Sequence, residues 1–238
     1  MPSRTARRRV ESRLDPDVRA EVFRVLRANL LVALADLERP TVVVTSALPD
    51  EGKTAVCANL AVSLARAGLR VVVIDVDLRH PNVHLWLGGH NEVGLSEVLL
   101  DRAKLQDVLQ YVEVASGGDR GLYLIPTGGL VANPTELLGT SRMTRLLETL
   151  TKQADVVLLD TPPTLLVADT LVIGRMAAGA ILVVEGRRTP VTAVLQAKDA
   201  LTRNQTRLLG VVLNKVPERD LSVGGYGYGY GSTANGDE

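Results

Sequence analysis

Lys53 and Thr54 follow Ser46-Ala47-Leu48-Pro49-Asp50-Glu51-Gly52, after an apolar run and before a stretch of helical period. A glycine, a lysine and a hydroxyl residue at a strand-to-helix junction suit polyphosphate chemistry. Gly52 lets the backbone wrap an oxygen, and successive N–H groups at the helix start cradle it. Lys53 reaches the β/γ-phosphates, and the Thr54 hydroxyl binds Mg²⁺. Pro49, Asp50, Glu51 and Ala55 complete the candidate loop, with Ala47 where the general pattern has its first glycine. Two acidic positions are spaced to serve such a loop. Val71–Ile74 runs into Asp75-Val76-Asp77-Leu78-Arg79, and Val156–Leu159 runs into Asp160. A carboxylate at the end of a buried strand beside a phosphate loop can hold Mg²⁺ or its waters. If the strand persists, a period of two puts Asp75 and Asp77 on one side, facing one metal or one nucleophile. Aspartates at such turns also serve as helix caps. The phosphate loop alongside them favours the site.

The elements that must position these residues follow from apolar pattern. Val/Ile/Leu-rich runs at Thr41–Thr45, Arg70–Ile74, Leu122–Ile125, Asp155–Leu159, Ala180–Val184 and Leu208–Leu213 read as buried parallel strands. Helical period covers Thr54–Ala67, Thr135–Lys152, Ala168–Met176 and Val191–Arg203, with a longer helix over Val18–Leu37. Alternation at these spacings predicts an α/β, doubly wound, mostly parallel sheet of the P-loop NTPase type with helices on both faces, and ligands at the carboxyl ends of its strands. The predicted organisation is an Arg-rich flexible arm over 1–17, one domain over 18–216, and a flexible Gly/Tyr-rich tail over 217–238.

Composition narrows the chemistry. Basic and acidic residues balance at 27 each and aromatics are 3% of the 238 residues, so a nucleic-acid partner is not expected. The single Cys57 makes no intramolecular disulfide, and His80, His84 and His90 lack metal-ligand spacing, which leaves an oxygen-bound ion such as Mg²⁺. Trp86 reads as packing. No run approaches the roughly 20 apolar residues of a membrane helix, and no apolar segment follows the basic N-terminus as in a secretory signal. A cytoplasmic location is expected.

Taken in order, Ser46–Thr54, Asp75–Arg79, Asp160 and the Tyr226/Tyr228/Tyr230 cluster resemble the bacterial tyrosine kinases of capsule and exopolysaccharide systems. That family has a Ser-x-x-Pro-x-x-Gly-Lys-Ser/Thr loop, an Asp-x-Asp-x-Arg strand end, a further strand ending in Asp and a C-terminal tyrosine cluster. Glu21-Val-Phe-Arg24-Val-Leu-Arg27 is similar to the family's Glu-x-x-Arg-x-x-Arg assembly helix, and Asn133-Pro134-Thr135-Glu136-Leu137-Leu138 to its Asn-Pro-Ser-Glu-Leu-Leu segment. Asp50 departs from the family's usual glycine and sets a negative charge near the phosphates.

The resemblance implies transfer of the ATP γ-phosphoryl to tyrosine, with Mg²⁺ required and Lys53, Asp75 and Asp77 as catalytic residues. Asp75 would be the base, with Thr54, Asp77 and Asp160 around the metal, although exchanging Asp75 and Asp77 contradicts nothing in the sequence. It implies base contact by Asn214, ring-like homo-oligomers through Glu21, Arg24 and Arg27, and autophosphorylation of the tail, in trans. It also implies a membrane activator (polysaccharide co-polymerase) or a membrane segment missing from this chain, a protein-tyrosine phosphatase, and a place at the inner face of the cell membrane. ATPase switches of the ParA/MinD type share the expected fold. Their loop opens on a signature lysine where this chain has Leu48, and a Tyr-Gly repeat would serve them no purpose.

Overall fold

In a computed structural model, residues 16–37, 40–114 and 121–216 are described. The predicted arm, apart from its last two positions, and the whole tail with Tyr226, Tyr228 and Tyr230 lie outside these residues. The sheet has seven strands: β1 (Thr41–Ser46), β2 (Val71–Asp75), β3 (Gln110–Val112), β4 (Leu122–Ile125), β5 (Val156–Asp160), β6 (Gly179–Glu185) and β7 (Leu208–Asn214), in the order β3-β4-β2-β5-β1-β6-β7. Every pairing is parallel except β3 with β4.

The strands are continuous apolar runs because both faces of the sheet are covered. Along β2, Val72 and Ile74 pack into one core while Val71 and Val73 pack into the other, and β5 divides Val157 and Leu159 from Val156 and Leu158 in the same way. One face is covered by α1 (Pro16–Ala33), α2 (Lys53–Arg66) and the start of α3 (Val83–Leu87). The other is covered by α4 (Leu95–Leu99), α5 (Leu105–Val108), α6 (Pro134–Leu138), α7 (Ser141–Thr151) and α8 (Asp169–Gly174), with α9 (Val191–Arg203) toward β6.

The α/β doubly wound expectation holds, with local corrections. The helix expected over Thr135–Lys152 is two, α6 and α7, because the chain breaks at Gly139-Thr140. The short antiparallel strand β3 and the short helices α3, α4 and α5 were not foreseen. None of them is long enough to display a period. The first helix stops at Ala33, short of Leu37, and continues as turns.

What this topology does for function is to put three strand ends side by side. β5 lies between β2 and β1, with Asp75 and Val44 as the register partners of Asp160. The loops leaving β1, β2 and β5 therefore emerge together, at the sheet edge where open α/β folds bind ligands.

Candidate active site

The turn from β1 into α2 is a strained loop. Asp50 and Gly52 both adopt left-handed backbone conformations, at φ 63° and 90°. Glycine accepts such a conformation without penalty, whereas aspartate tolerates it as one of the few L-residues that can. A Cβ at Gly52 would lie 2.2 Å from the Asn214 amide nitrogen, so this position also needs the missing side chain. Behind Gly52, α2 offers free N–H groups and the positive end of its dipole.

Lys53 turns toward the carboxylates. Its Nζ lies 3.1 Å from Asp77 and 3.4 Å from Asp160. The Thr54 hydroxyl donates to Oδ2 of Asp160 at 2.7 Å. Burial alone would push the Lys53 ammonium down, but Asp160, Asp77 and Asp75 more than offset it, and its pKa lies above the ordinary lysine value. The cation is therefore fixed before any phosphate arrives. Burial raises the Asp160 carboxyl, against the opposing pull of Lys53 and the Thr54 hydroxyl. Oδ1 of Asp160 is buried without a hydrogen-bond partner. An unsatisfied carboxylate oxygen beside a threonine hydroxyl is a hard donor set suited to Mg²⁺, which is commonly held by one or two protein oxygens plus phosphates and water. Accordingly, no ready-made cage of three or more His, Cys, Asp or Glu side chains occurs among the described residues.

The two aspartates at the end of β2 and just beyond it, Asp75 and Asp77, have different surroundings. The strand ends at Asp75, so the period-two expectation does not carry through to Asp77. Asp77 is placed by the His80 N–H at 3.0 Å and by Lys53. Asp75 is fully buried and accepts the N–H groups of Asp77, Asn82 and Val83, the last two at the start of α3. Burial and the nearby Asp160 charge raise the Asp75 carboxyl to about 8, against the backbone donors and Lys53.

Asn214 reaches the site, but its amide nitrogen donates to the Glu51 carbonyl at 2.9 Å. In this structure that bond braces the loop. Arg27, expected on an assembly face with Glu21 and Arg24, instead donates to the Ser63 carbonyl at 2.8 Å and docks α1 on α2. Glu21 and Arg24 pair with one another near the surface.

Several contacts of the site escaped the sequence. Arg79 holds Asp169, the first residue of α8, through Nε at 3.0 Å and Nη2 at 3.4 Å, and Thr135 of α6 donates its hydroxyl to the same buried carboxylate. The Asp75–Arg79 and Asn133–Leu138 motifs are thus tied through Asp169, which in sequence looks like an ordinary helix-start acid. The Glu51 side chain, Thr189 and Lys215 form a second group around the loop.

Residues 42–223 match the family model of the CobQ/CobB/MinD/ParA nucleotide-binding domain. The chain is 36% identical to the tyrosine-protein kinase YwqD of Bacillus subtilis over 209 residues, 87% of this chain and 86% of that protein. It spans only 28–31% of several other curated tyrosine-kinase relatives it matches. Among solved structures, the kinase domain of the Escherichia coli tyrosine kinase ETK superposes with a TM-score of 0.79 at 32% identity, over 99% of this chain and 89% of that one. The septum site-determining protein MinD of Pyrococcus horikoshii, in complex with Mg-ADP, superposes with a TM-score of 0.62 at 25% identity, over 76% and 72% of the two chains.

Proposed function

This chain belongs to the bacterial tyrosine kinases within the CobQ/CobB/MinD/ParA nucleotide-binding family and is a protein-tyrosine kinase, and from that premise we propose that it transfers the γ-phosphoryl of ATP to Tyr226, Tyr228 and Tyr230 of a neighbouring copy. Thr54, Asp77 and Asp160 hold Mg²⁺, and Lys53 receives the β/γ-phosphates. The observation that supports this most is the Lys53 ammonium between Asp77 and Asp160, beside the unpartnered Asp160 Oδ1.

The chain's own residues do the following work. The N–H groups from Asp50 to Ala55 orient the polyphosphate, and Lys53, whose ammonium lies on the same three side chains that would hold Mg²⁺, turns from them to the β/γ-phosphates and stabilises charge on the transferring group. Mg²⁺ held by Thr54, Asp77 and Asp160 would supply positive charge against the phosphate oxygens. A tyrosine hydroxyl titrates near 10 and an ordinary aspartate near 4, so the proton leaves late, as the new O–P bond forms. Asp75 is the acceptor assigned to that proton; its carboxyl, raised to about 8 by burial and Asp160, takes this role once ionised, a state that the positive charges of Lys53 and Mg²⁺ favour. Asp77, held by Lys53, stays with the metal.

The tail supplies the acceptor. From Val216 to Tyr230 an extended chain reaches about 50 Å, enough to enter an adjacent site. Glycines flanking each tyrosine let the backbone present the hydroxyls in turn. Assembly into a ring uses the α1 surface around Glu21 and Arg24. The wider reading is control of capsule or exopolysaccharide synthesis or export, with a membrane activator or a membrane segment outside this chain, a protein-tyrosine phosphatase, and a place at the inner membrane face. Among the described residues no helix is long and apolar enough to cross a membrane. Mixing a Lys53→Met chain that keeps its tail with an active chain truncated after Val223 tests the trans reading. Label on the Lys53→Met tail is expected. An unlabelled tail, alongside intact enzyme that labels itself, would reject transfer in trans.

A further inference from the structure

Glu51 is a buried carboxylate inside a loop that is meant to receive anions, an arrangement that works against binding unless the side chain does something else there. One of its oxygens, Oε2, accepts the Leu48 N–H at 2.7 Å, three residues back along the same loop. The other, Oε1, accepts the hydroxyl of Thr189, from the segment between β6 and α9. That hydroxyl has a fixed direction, because Thr189 Oγ1 itself accepts the Glu185 N–H at 2.9 Å. Donation thus runs from the β6 backbone through Thr189 to Glu51, which also accepts from Leu48 on its other oxygen.

The loop needs such a strut. Glu51 sits between the two left-handed positions, Asp50 and Gly52, and strained backbone persists only where its surroundings over-determine it. On this flank the loop borders a recess of about 320 Å³ that it shares with Glu185, Arg188 and Thr189. Further braces are the Ser46 hydroxyl on the Leu48 carbonyl, Asn214 at the end of β7 on the Glu51 carbonyl, and Lys215 just after it on the Asp50 carbonyl.

We propose that Thr189, acting through the Glu51 carboxylate, is a positioning residue that holds the phosphate loop in its binding conformation before nucleotide arrives. The inference rests on the proposed nucleotide site and deepens it: Thr189 sets nucleotide affinity without touching nucleotide. Its effect falls on binding and not on transfer, because bound phosphate supplies its own hydrogen bonds to the closed loop.

The test uses Mg-ADP titrations and ATP kinetics on the full chain, with Thr189→Val and Thr189→Ser. Valine keeps the shape and removes the donor, whereas serine keeps the donor. Losing one hydrogen bond to a buried carboxylate is expected to weaken Mg-ADP binding and raise KM for ATP about tenfold in Thr189→Val, with kcat at saturating ATP within about twofold of the parent. Thr189→Ser is expected to bind as the parent does. A Thr189→Val chain with parental affinity overturns the inference, as does a loss of kcat at unchanged KM or an equal loss in the serine variant. A parent that fails to bind Mg-ADP would instead reject the nucleotide site itself, and the inference with it.

Discussion

Asp75 and Asp160 are register partners on neighbouring parallel strands, and both are buried. Two carboxylates so placed cannot both ionise cheaply, and Lys53 stands close enough to compensate for only part of their charge. Burial and Asp160 raise Asp75 to about 8, against about 3.9 for a free aspartate. Between those values the folded chain keeps a proton that the unfolded chain gives up. The Asp75 contribution is therefore fully present at the acid end of this window and is lost as pH rises through about 8. Thermal melts of metal-free protein across the window should show a shallower decline in Asp75→Asn than in the parent. Identical slopes would mean that Asp75 titrates in the ordinary range.

The Arg79–Asp169–Thr135 cluster predicts a dependence on shape as well as charge. Arg79 meets both oxygens of Asp169 with a planar fork, which lysine cannot reproduce. Asp169→Ala should lower stability to urea by about 1–3 kcal/mol and reduce tyrosine phosphorylation, because the turn carrying Asp77 loses its anchor. Arg79→Lys should recover little of the activity. Full activity in Arg79→Lys would show that charge alone suffices.

Part of the candidate site was legible in the sequence because two apolar runs stop on a charged residue, Asp75 and Asp160, at strand ends. Lys53 carried a different signal, the Gly-Lys-Thr step into a helix, and the structure brings it together with Asp77 and Asp160. Asp169 and Thr189 carry none. Each is one polar residue near a helix start, and its partner lies 90 or 138 residues away in sequence. The bond from Arg27 to the Ser63 carbonyl of α2 was equally hidden, since its spacing spoke only of Arg24 on the same helix. Side-chain contacts between distant elements are decided by packing, which no local period reports.

Asp50→Gly should tighten ATP binding. It removes a negative charge near the phosphates and relieves a left-handed aspartate, a stabilisation of up to about 1 kcal/mol. Lys215 contacts the backbone carbonyl at Asp50, and that contact survives the substitution. Isothermal titration with a non-hydrolysable ATP analogue checks it, and unchanged or weaker binding would show that the Asp50 carboxylate points away from the phosphates.

Assembly should depend on Arg24 separately from Arg27. Arg24→Ala is expected to shift an oligomer to monomer and cut autophosphorylation more than nucleotide binding, whereas Arg27→Ala should loosen α1 from α2 and lower thermal stability. Light scattering and melting curves at matched concentration separate the two effects. A parent that is already monomeric at tens of micromolar with ATP would return Glu21 and Arg24 to an ordinary surface pair, of the kind that contributes only tenths of a kcal/mol.

The centre formed by Lys53, Asp77 and Asp160 is tested most directly by incubating the chain with labelled ATP and Mg²⁺ and hydrolysing the product to its phosphoamino acids. Phosphotyrosine is expected from the parent and only a trace from a folded Lys53→Met chain incubated alone. Label released solely as inorganic phosphate, or phosphotyrosine formed equally by Lys53→Met, would contradict the account.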